Sequence, residues 1–196
     1  MKLILASSSP RRIELLKEAG FDFEVRVSAA DENAVCAKDA DKLALMRARL
    51  KAESVADELL MYGEEFIVLG ADTVVERSGE IFPKPANERD AIGMLKRLSD
   101  GDHNVFTGVC LVSSDNRTEE RAVCTAVSFG AFDLGRIEAY VKSGKAFGKA
   151  GAYGIQDEEL SFLIKKTDGA RDNVIGLPVA TVTEMLKEKS KWRQWK

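Results

Sequence analysis

The chain has 196 residues, 45% of them hydrophobic and 31% charged, with a net charge of −3. That is the length of one core-bearing globular domain, and it gives no general electrostatic case for nucleic acid as a partner. One histidine and three widely spaced cysteines (Cys36, Cys110 and Cys124) argue against a disulfide framework, a zinc pattern and histidine-based catalysis, so any metal is expected on oxygen ligands, as Mg²⁺ or Mn²⁺.

In chain order, Leu3–Leu5 is an apolar run of strand type, followed by Ser7, Ser8 and Ser9 and by Pro10, which suits the first position of a helix. Ile13, Leu16 and Gly20 give that helix an apolar stripe and a stop. Arg11 and Arg12 then fall in its first turn, where cations are unfavourable unless an anion completes the site. A phosphate site and a solvated arginine pair are both open readings. Phe21–Val27 alternates as a half-buried strand does, and Asp31 and Glu32 open a polar loop. A long helix is expected over 39–60, with Leu43, Met46, Leu50 and Val55 near helical spacing. Arg47 and Lys51 lie one turn apart on it, either as a second basic contribution or, more simply on spacing alone, as a solvated face.

Phe66–Val75 reads as a central strand covered on both faces. Asp72 interrupts the run beside Thr73, and a carboxylate there must be paired or bound to metal because burying it alone is costly. Pro83 and Pro85 bracket Lys84 and stiffen its mount. Asn87 can cap a helix over 88–98, with Ala91, Ile92, Leu95 and Leu98 as its apolar face. His103–Val112 and Arg121–Phe129 read as a hairpin, and Asp133–Ser143 as a helix closed by Gly144. The glycines of 144–156 match neither a dinucleotide fingerprint nor a P-loop; their density suggests backbone that passes close to a ligand or turns repeatedly. Gln156 follows, with both a donor and an acceptor. Leu160, Phe162 and Ile164 alternate as a strand, Pro178 opens a last helix to about Lys187, and the basic tail 189–196 reads as a frayed end or a packing strap. No repeat or linker is evident. No leader peptide and no apolar run of roughly 20 residues is seen, so a cytoplasmic setting without membrane or nucleic acid is expected.

These elements add up to an α/β protein with a mixed sheet, helices on its faces and polar residues gathered at strand ends. Arginines, lysines and carboxylates without histidine suit a polyphosphate and a divalent metal.

The motifs LASSSPRR, GADTVV, a KP dipeptide, SDGDHNVFTGV, KAGAYGIQ and NVIGLP, in this order, resemble the Maf-type nucleoside triphosphate pyrophosphatases over about residues 3–186. The resemblance implies one Maf-like domain over 1–196. It also implies an elongated mixed sheet with flanking helices and two lobes around a cleft, like the inosine triphosphatase (Ham1) fold, usually as a homodimer. It implies hydrolysis of a nucleoside triphosphate to monophosphate and pyrophosphate with Mg²⁺ or Mn²⁺. By motif position the catalytic carboxylate falls on Asp72 and the phosphate loop on Ser8, Arg11 and Arg12. The helix lysine falls on Lys51, the KP lysine on Lys84, and a second metal or water partner on Glu32.

Within the family, Arg11, Thr73 and Gln156 resemble the branch acting on dTTP and UTP, with modified pyrimidine nucleotides as further substrates. Arg11 and Gln156 suit the polar edge of a pyrimidine. The chain departs from the family pattern at Pro83, at Asp157 and at Arg171, where glycine, glycine and tyrosine are usual; Asp157 is expected to add charge near the base site. The alternative implied by the resemblance is a nucleotide-binding regulator of septum formation with little turnover.

Overall fold

The computed structural model describes residues 1–63 and 65–192, the side chains of 189–192 excepted. In chain order it builds β1 (Lys2–Leu5), α1 (Pro10–Glu18), β2 (Glu24–Val25), α2 (Ala40–Leu60), β3 (Phe66–Arg77), β4 (Glu80–Phe82) and α3 (Glu88–Leu98). β5 (Gly101–Ser113), β6 (Thr118–Phe129), α4 (Leu134–Lys142), β7 (Ile164–Asp168), α5 (Arg171–Ile175) and α6 (Val179–Trp192) follow. The strands form one mixed seven-stranded sheet in the order β2-β1-β3-β5-β6-β7, with β4 also on β3. β1 runs parallel to β2 and β3, whereas β3, β5, β6 and β7 are antiparallel neighbours.

The apolar run at β3 becomes the centre of the sheet, and alternation sorts its residues between two faces. Phe66 and Val68 pack under α2 with Ala48, Ala52, Val55 and Leu59. Ile67 and Leu69 pack on the opposite face with Leu16 of α1 and Val182 and Met185 of α6. Further along that second face, Val75 and Val105 join the core built by α3, α4 and Tyr153. Between these two apolar bodies the face carries a polar pair, Thr73 and Thr107, directly opposite each other in register. The two lobes therefore meet across a polar band.

The helix α2 lies on the sheet through small residues rather than through the expected Met46 and Leu50. Ala44, Ala48, Ala52 and Ala56 recur every four residues and are buried, whereas Met46 is 41% exposed. The sheet answers with glycine: a Cβ on Gly70 would stand 2.1 Å from the Ala48 carbonyl oxygen, and one on Gly108 2.5 Å from the Ala44 backbone. Helix and sheet backbones thus meet almost directly, which side chains would prevent.

Other expectations are corrected in detail. The strand expected over 21–27 shrinks to the two residues of β2, because Val25 and Val27 face outward, 43% and 61% exposed. The strand read from Leu160 to Ile164 is a single 3₁₀ turn (Glu158–Leu160), and the strand proper begins only at Ile164. Leu160 and Leu163 both fill the core instead of marking alternate faces. The hairpin is longer than read, and α5 was not foreseen. The last helix runs past Lys187, and the expected role of the tail 189–196 lies outside the described side chains. No helix among the described residues is long and apolar enough to cross a membrane.

Candidate active site

The site lies at a gap in the edge of the sheet. β1 leaves β3 at Leu69 and β4 joins it at Val75, so residues 70–74 have a strand neighbour, β5, on one side only. The loop after β1 turns away into that gap, held at its start by the Ala6 amide donating to the Leu69 carbonyl at 2.8 Å. Side chains from both faces of the sheet can meet there. The result is a cleft of about 360 Å³ whose walls include Ser8, Arg11, Arg12, Glu32, Lys51, Asp72, Thr73, Lys84 and Gln156. All the residues singled out from sequence are thus brought together.

From the α2 face comes a charged cluster. Asp72, only 5% exposed, receives the Lys51 ammonium on Oδ1 at 2.5 Å. Lys51 is 7% exposed, so the solvated-face reading of this lysine does not hold; the alanine stripe of α2 carries it against β3. The same ammonium lies 3.1 Å from Glu32 Oε1, and Lys84 lies 3.7 Å from Glu32 Oε2. Arg47 donates from Nε to the Glu32 carbonyl at 3.2 Å and stands 4.0 Å from Asp72 Oδ2. Burial pushes the Glu32 carboxyl up, but Lys51, Lys84 and Arg47 together outweigh it and hold its pKa below the ordinary glutamate value.

From the other face comes Arg12, 9% exposed. Its Nε donates to the Gly176 carbonyl at 2.8 Å, Nη1 to Ser7 Oγ at 3.3 Å and Nη2 to Thr73 Oγ1 at 3.2 Å. Thr73 in turn shares a 3.0 Å hydrogen bond with Thr107, whose hydroxyl donates to the Asn173 carbonyl at 2.9 Å. The segment NVIGLP is therefore the strap that brings Gly176 to Arg12. These acceptors are neutral oxygens. Burial lowers the Arg12 pKa, with the nearby Asp72 pulling it back up. A guanidinium at the head of α1, fixed by neutral partners, keeps its charge for an anion. The helix start agrees: Ser9 stands at the N-cap of α1 but makes no side-chain cap hydrogen bond. The Ser7 hydroxyl instead accepts from the Ser9 amide at 3.2 Å.

The far wall is the glycine-rich segment. Arg11 points there, with Nη2 3.4 Å from the Gly148 carbonyl, and burial lowers its pKa while Asp157 and Tyr140 raise it. Asp157 does not add a loose charge. Its Oδ2 accepts from the Tyr140 hydroxyl at 2.6 Å and is paired with the Lys149 ammonium. Arg171 donates to the Ile155 carbonyl at 2.8 Å, tying α5 to this wall, and the Pro83 carbonyl accepts from the Gly151 amide at 3.1 Å. Of the pair Arg47 and Lys51, the second basic contribution is the reading that holds for both, since Arg47 reaches Glu32 and Asp72. Lys149 is the residue that sequence reasoning gave no role, although it opens the KAGAYGIQ motif.

The residues fit a hard divalent cation. Asp72 Oδ2 is buried and without a hydrogen-bond partner, and a second carboxylate, Glu32, is joined to Asp72 through Lys51. Among the described residues no group of three or more His, Cys, Asp or Glu comes together. Two carboxylates with phosphate oxygens completing the shell is a usual arrangement for Mg²⁺.

The family model for "Maf-like protein" matches residues 2–189. The chain belongs to the Maf family. It is 39% identical over 188 residues to a dTTP/UTP pyrophosphatase of Pelotomaculum thermopropionicum, covering 95% of this chain and 96% of that one. It is 45% identical over 188 residues to a dTTP/UTP pyrophosphatase of Thermosipho africanus, covering 95% and 92%. Among solved structures, this Maf-family chain is similar to a nucleoside-triphosphatase (dITP/XTP pyrophosphatase) of Mycobacterium abscessus, at 12% identity and a TM-score of 0.45, covering 99% of this chain and 97% of that one. The Ham1 protein of Staphylococcus aureus gives 15% identity and a TM-score of 0.45, covering 66% and 72%.

Proposed function

We propose that this chain hydrolyses nucleoside triphosphates, dTTP and UTP foremost, to the monophosphate and pyrophosphate. The observation that carries the reading is the meeting, at one gap in the sheet edge, of the Lys51–Asp72–Glu32 cluster and the neutrally braced Arg12. One side of the gap supplies two carboxylates already matched with Lys51, Arg47 and Lys84, and the other a guanidinium with no carboxylate hydrogen-bonded to it, which together suit hydrolysis of a polyphosphate. Arg12, Lys84, Ser8 and the first-turn amides of α1 bind the phosphates. A divalent cation, Mg²⁺ or Mn²⁺, would be held by Asp72 and Glu32 and would neutralise charge on the phosphate oxygens when bound. Asp72 and Glu32 orient the water that attacks the α-phosphorus, and Lys51 holds the two carboxylates in register. Arg11, Thr73 and Gln156 line the cleft toward the base, with Arg11 and Gln156 on the polar edge of a pyrimidine.

The names carried by relatives over 95% of the chain support the same substrates. Family resemblance also supports a single domain, a homodimer and a cytoplasmic setting. Incubation with ATP, GTP, CTP, UTP and dTTP in Mg²⁺, with pyrophosphate measured, tests the reading. Release of pyrophosphate fastest from dTTP and UTP is expected, whereas binding without turnover would leave a nucleotide-binding regulator. Gln156→Ala should erode the base preference more than the best rate. Arg12→Ala should slow all substrates alike and also lower the melting temperature, because it removes three hydrogen bonds, one to Ser7 before α1, one to Thr73 of β3 and one to Gly176 just after α5.

A further inference from the structure

Gln156 is exposed and its amide can turn, presenting an N–H or a carbonyl to whatever lies opposite. It cannot by itself decide which base edge the cleft accepts. Lys149 can. An ammonium is a donor only, so an atom facing it must be an acceptor. Its side chain is 11% exposed, and it lines the same cleft wall as Gln156. The two come close together at Gly154: Lys149 Nζ lies 2.8 Å and Gln156 Nε2 2.9 Å from the point where a Cβ on that glycine would stand.

The lysine is held from behind. Asp157, whose side chain is 9% exposed and which is absent from the cleft wall, pairs with its ammonium through Oδ2. Tyr140 fixes the carboxylate by donating to the same oxygen at 2.6 Å. Three protons sit on the ammonium and Asp157 accepts one, which leaves donors for a ligand.

We propose that Lys149 is a second base-reading residue beside Gln156, with Asp157 as its positioning residue, and that its ammonium selects bases bearing a carbonyl where cytosine and adenine bear an amine. This rests on the reading of the cleft as a pyrimidine nucleotide site. Uracil and thymine offer an acceptor at position 4; cytosine presents N–H groups to a donor that cannot turn round. A site built to bond one edge rejects the mismatched edge strongly, since its buried polar groups are left unpaired.

UTP and CTP are the discriminating pair, having equal ring size and differing at that edge. We expect wild type to prefer UTP and Lys149→Met to cut the UTP:CTP ratio of kcat/KM by about tenfold or more, through KM rather than kcat. Lys149→Arg, which keeps a donor, should retain most of the ratio. Asp157→Asn should lower it by a smaller factor. Calorimetric binding of UMP against CMP reads the same preference without turnover, so absence of hydrolysis in wild type would fail the proposed reaction while leaving this assignment measurable. A wild type that does not distinguish UMP from CMP overturns the proposal. So does a folded Lys149→Met, judged by its melting curve, with an unchanged ratio in both measurements. Should Lys149→Met not fold, an unchanged ratio in Asp157→Asn overturns it equally.

Discussion

The Lys51 ammonium stands 2.5 Å from Asp72 Oδ1, joining the middle of the longest helix to the strand beneath it. Two near-buried opposite charges in contact make each other tolerable, and the same lysine draws in Glu32. Removing either partner therefore tests structure and chemistry together.

Lys51→Met takes away the closest cation of both carboxylates, leaving Arg47 at 4.0 Å from Asp72 Oδ2, Lys84 at 3.7 Å from Glu32 Oε2 and the more distant field of Arg12. Breaking a buried pair by deleting one partner costs about 3 kcal/mol or somewhat less where other cations remain nearby. The expected outcome is a urea midpoint clearly below wild type together with near-complete loss of pyrophosphate release. A variant as stable as wild type would mean that the pair contributes nothing net.

Asp72→Asn keeps the shape of the side chain and removes its charge. Hydrolysis should fall by about 10²-fold or more, the usual contribution of a positioned acid–base or metal-holding carboxylate. The fold should persist, because Lys51 retains Glu32. Steady-state turnover on UTP, alongside a circular dichroism melt, is the measurement; a folded variant at near-full rate would remove Asp72 from the mechanism.

The proposed metal dependence rests on Asp72 Oδ2, which has no hydrogen-bond partner, and on its neighbour Glu32. Rigorous chelation should abolish hydrolysis and Mg²⁺ or Mn²⁺ should restore it. Mn²⁺ binding, followed by its paramagnetic effect on water relaxation, should weaken in Glu32→Gln and in Asp72→Asn. Full turnover in excess chelator would contradict the metal reading.

Gly108→Ala tests the close approach of α2. The new Cβ would meet the Ala44 backbone at 2.5 Å, an obstruction that no rotamer change relieves. A loss of about 1–3 kcal/mol is expected from such overpacking. Activity should fall as well, since any shift of α2 moves Lys51 relative to Asp72. Parallel melting and turnover measurements would show whether the two losses travel together.

His103 supplies a pH test. It is 2% exposed and shares a 2.8 Å hydrogen bond with the Tyr153 hydroxyl. Burial first, and then Arg77, push its pKa down to about 4. The folded imidazole thus protonates less readily than the unfolded one, whose pKa is about 6.5. Stability from this group is full above pH 6.5 and falls as pH drops from 6.5 toward 4. Being the single histidine of the chain, it gives one resolvable NMR titration. The expected outcome is a neutral ring at pH 5 and a lower urea midpoint at pH 5 than at pH 7; a titration near pH 6.5 would refute the burial argument.

The sequence by itself determined the elements with local signals. Asn87 caps the helix at 88–98 through a bond from the Asp90 amide, and Asp133 caps the next helix in the same way. The continuous apolar run at 66–75 is the central strand, and Asp72 within it is paired, as burial of a lone carboxylate requires. Family motifs likewise marked Ser8, Arg12, Lys51, Lys84 and Gln156, all of which meet in one cleft.

Only the tertiary structure decided how those residues face one another. The burial of Lys51 depends on an alanine stripe meeting Gly70 and Gly108, a fit between segments whose local patterns carry no trace of each other. The bracing of Arg12 depends on Gly176, 164 residues away, reaching α1 through the strap anchored by Asn173. The gap on β3 exists because β1 and β4 stop short of each other along one edge. Periodicity and capping are properties of neighbours in the chain, while strand order, register and the meeting of two sheet faces at an edge arise from contacts between distant segments.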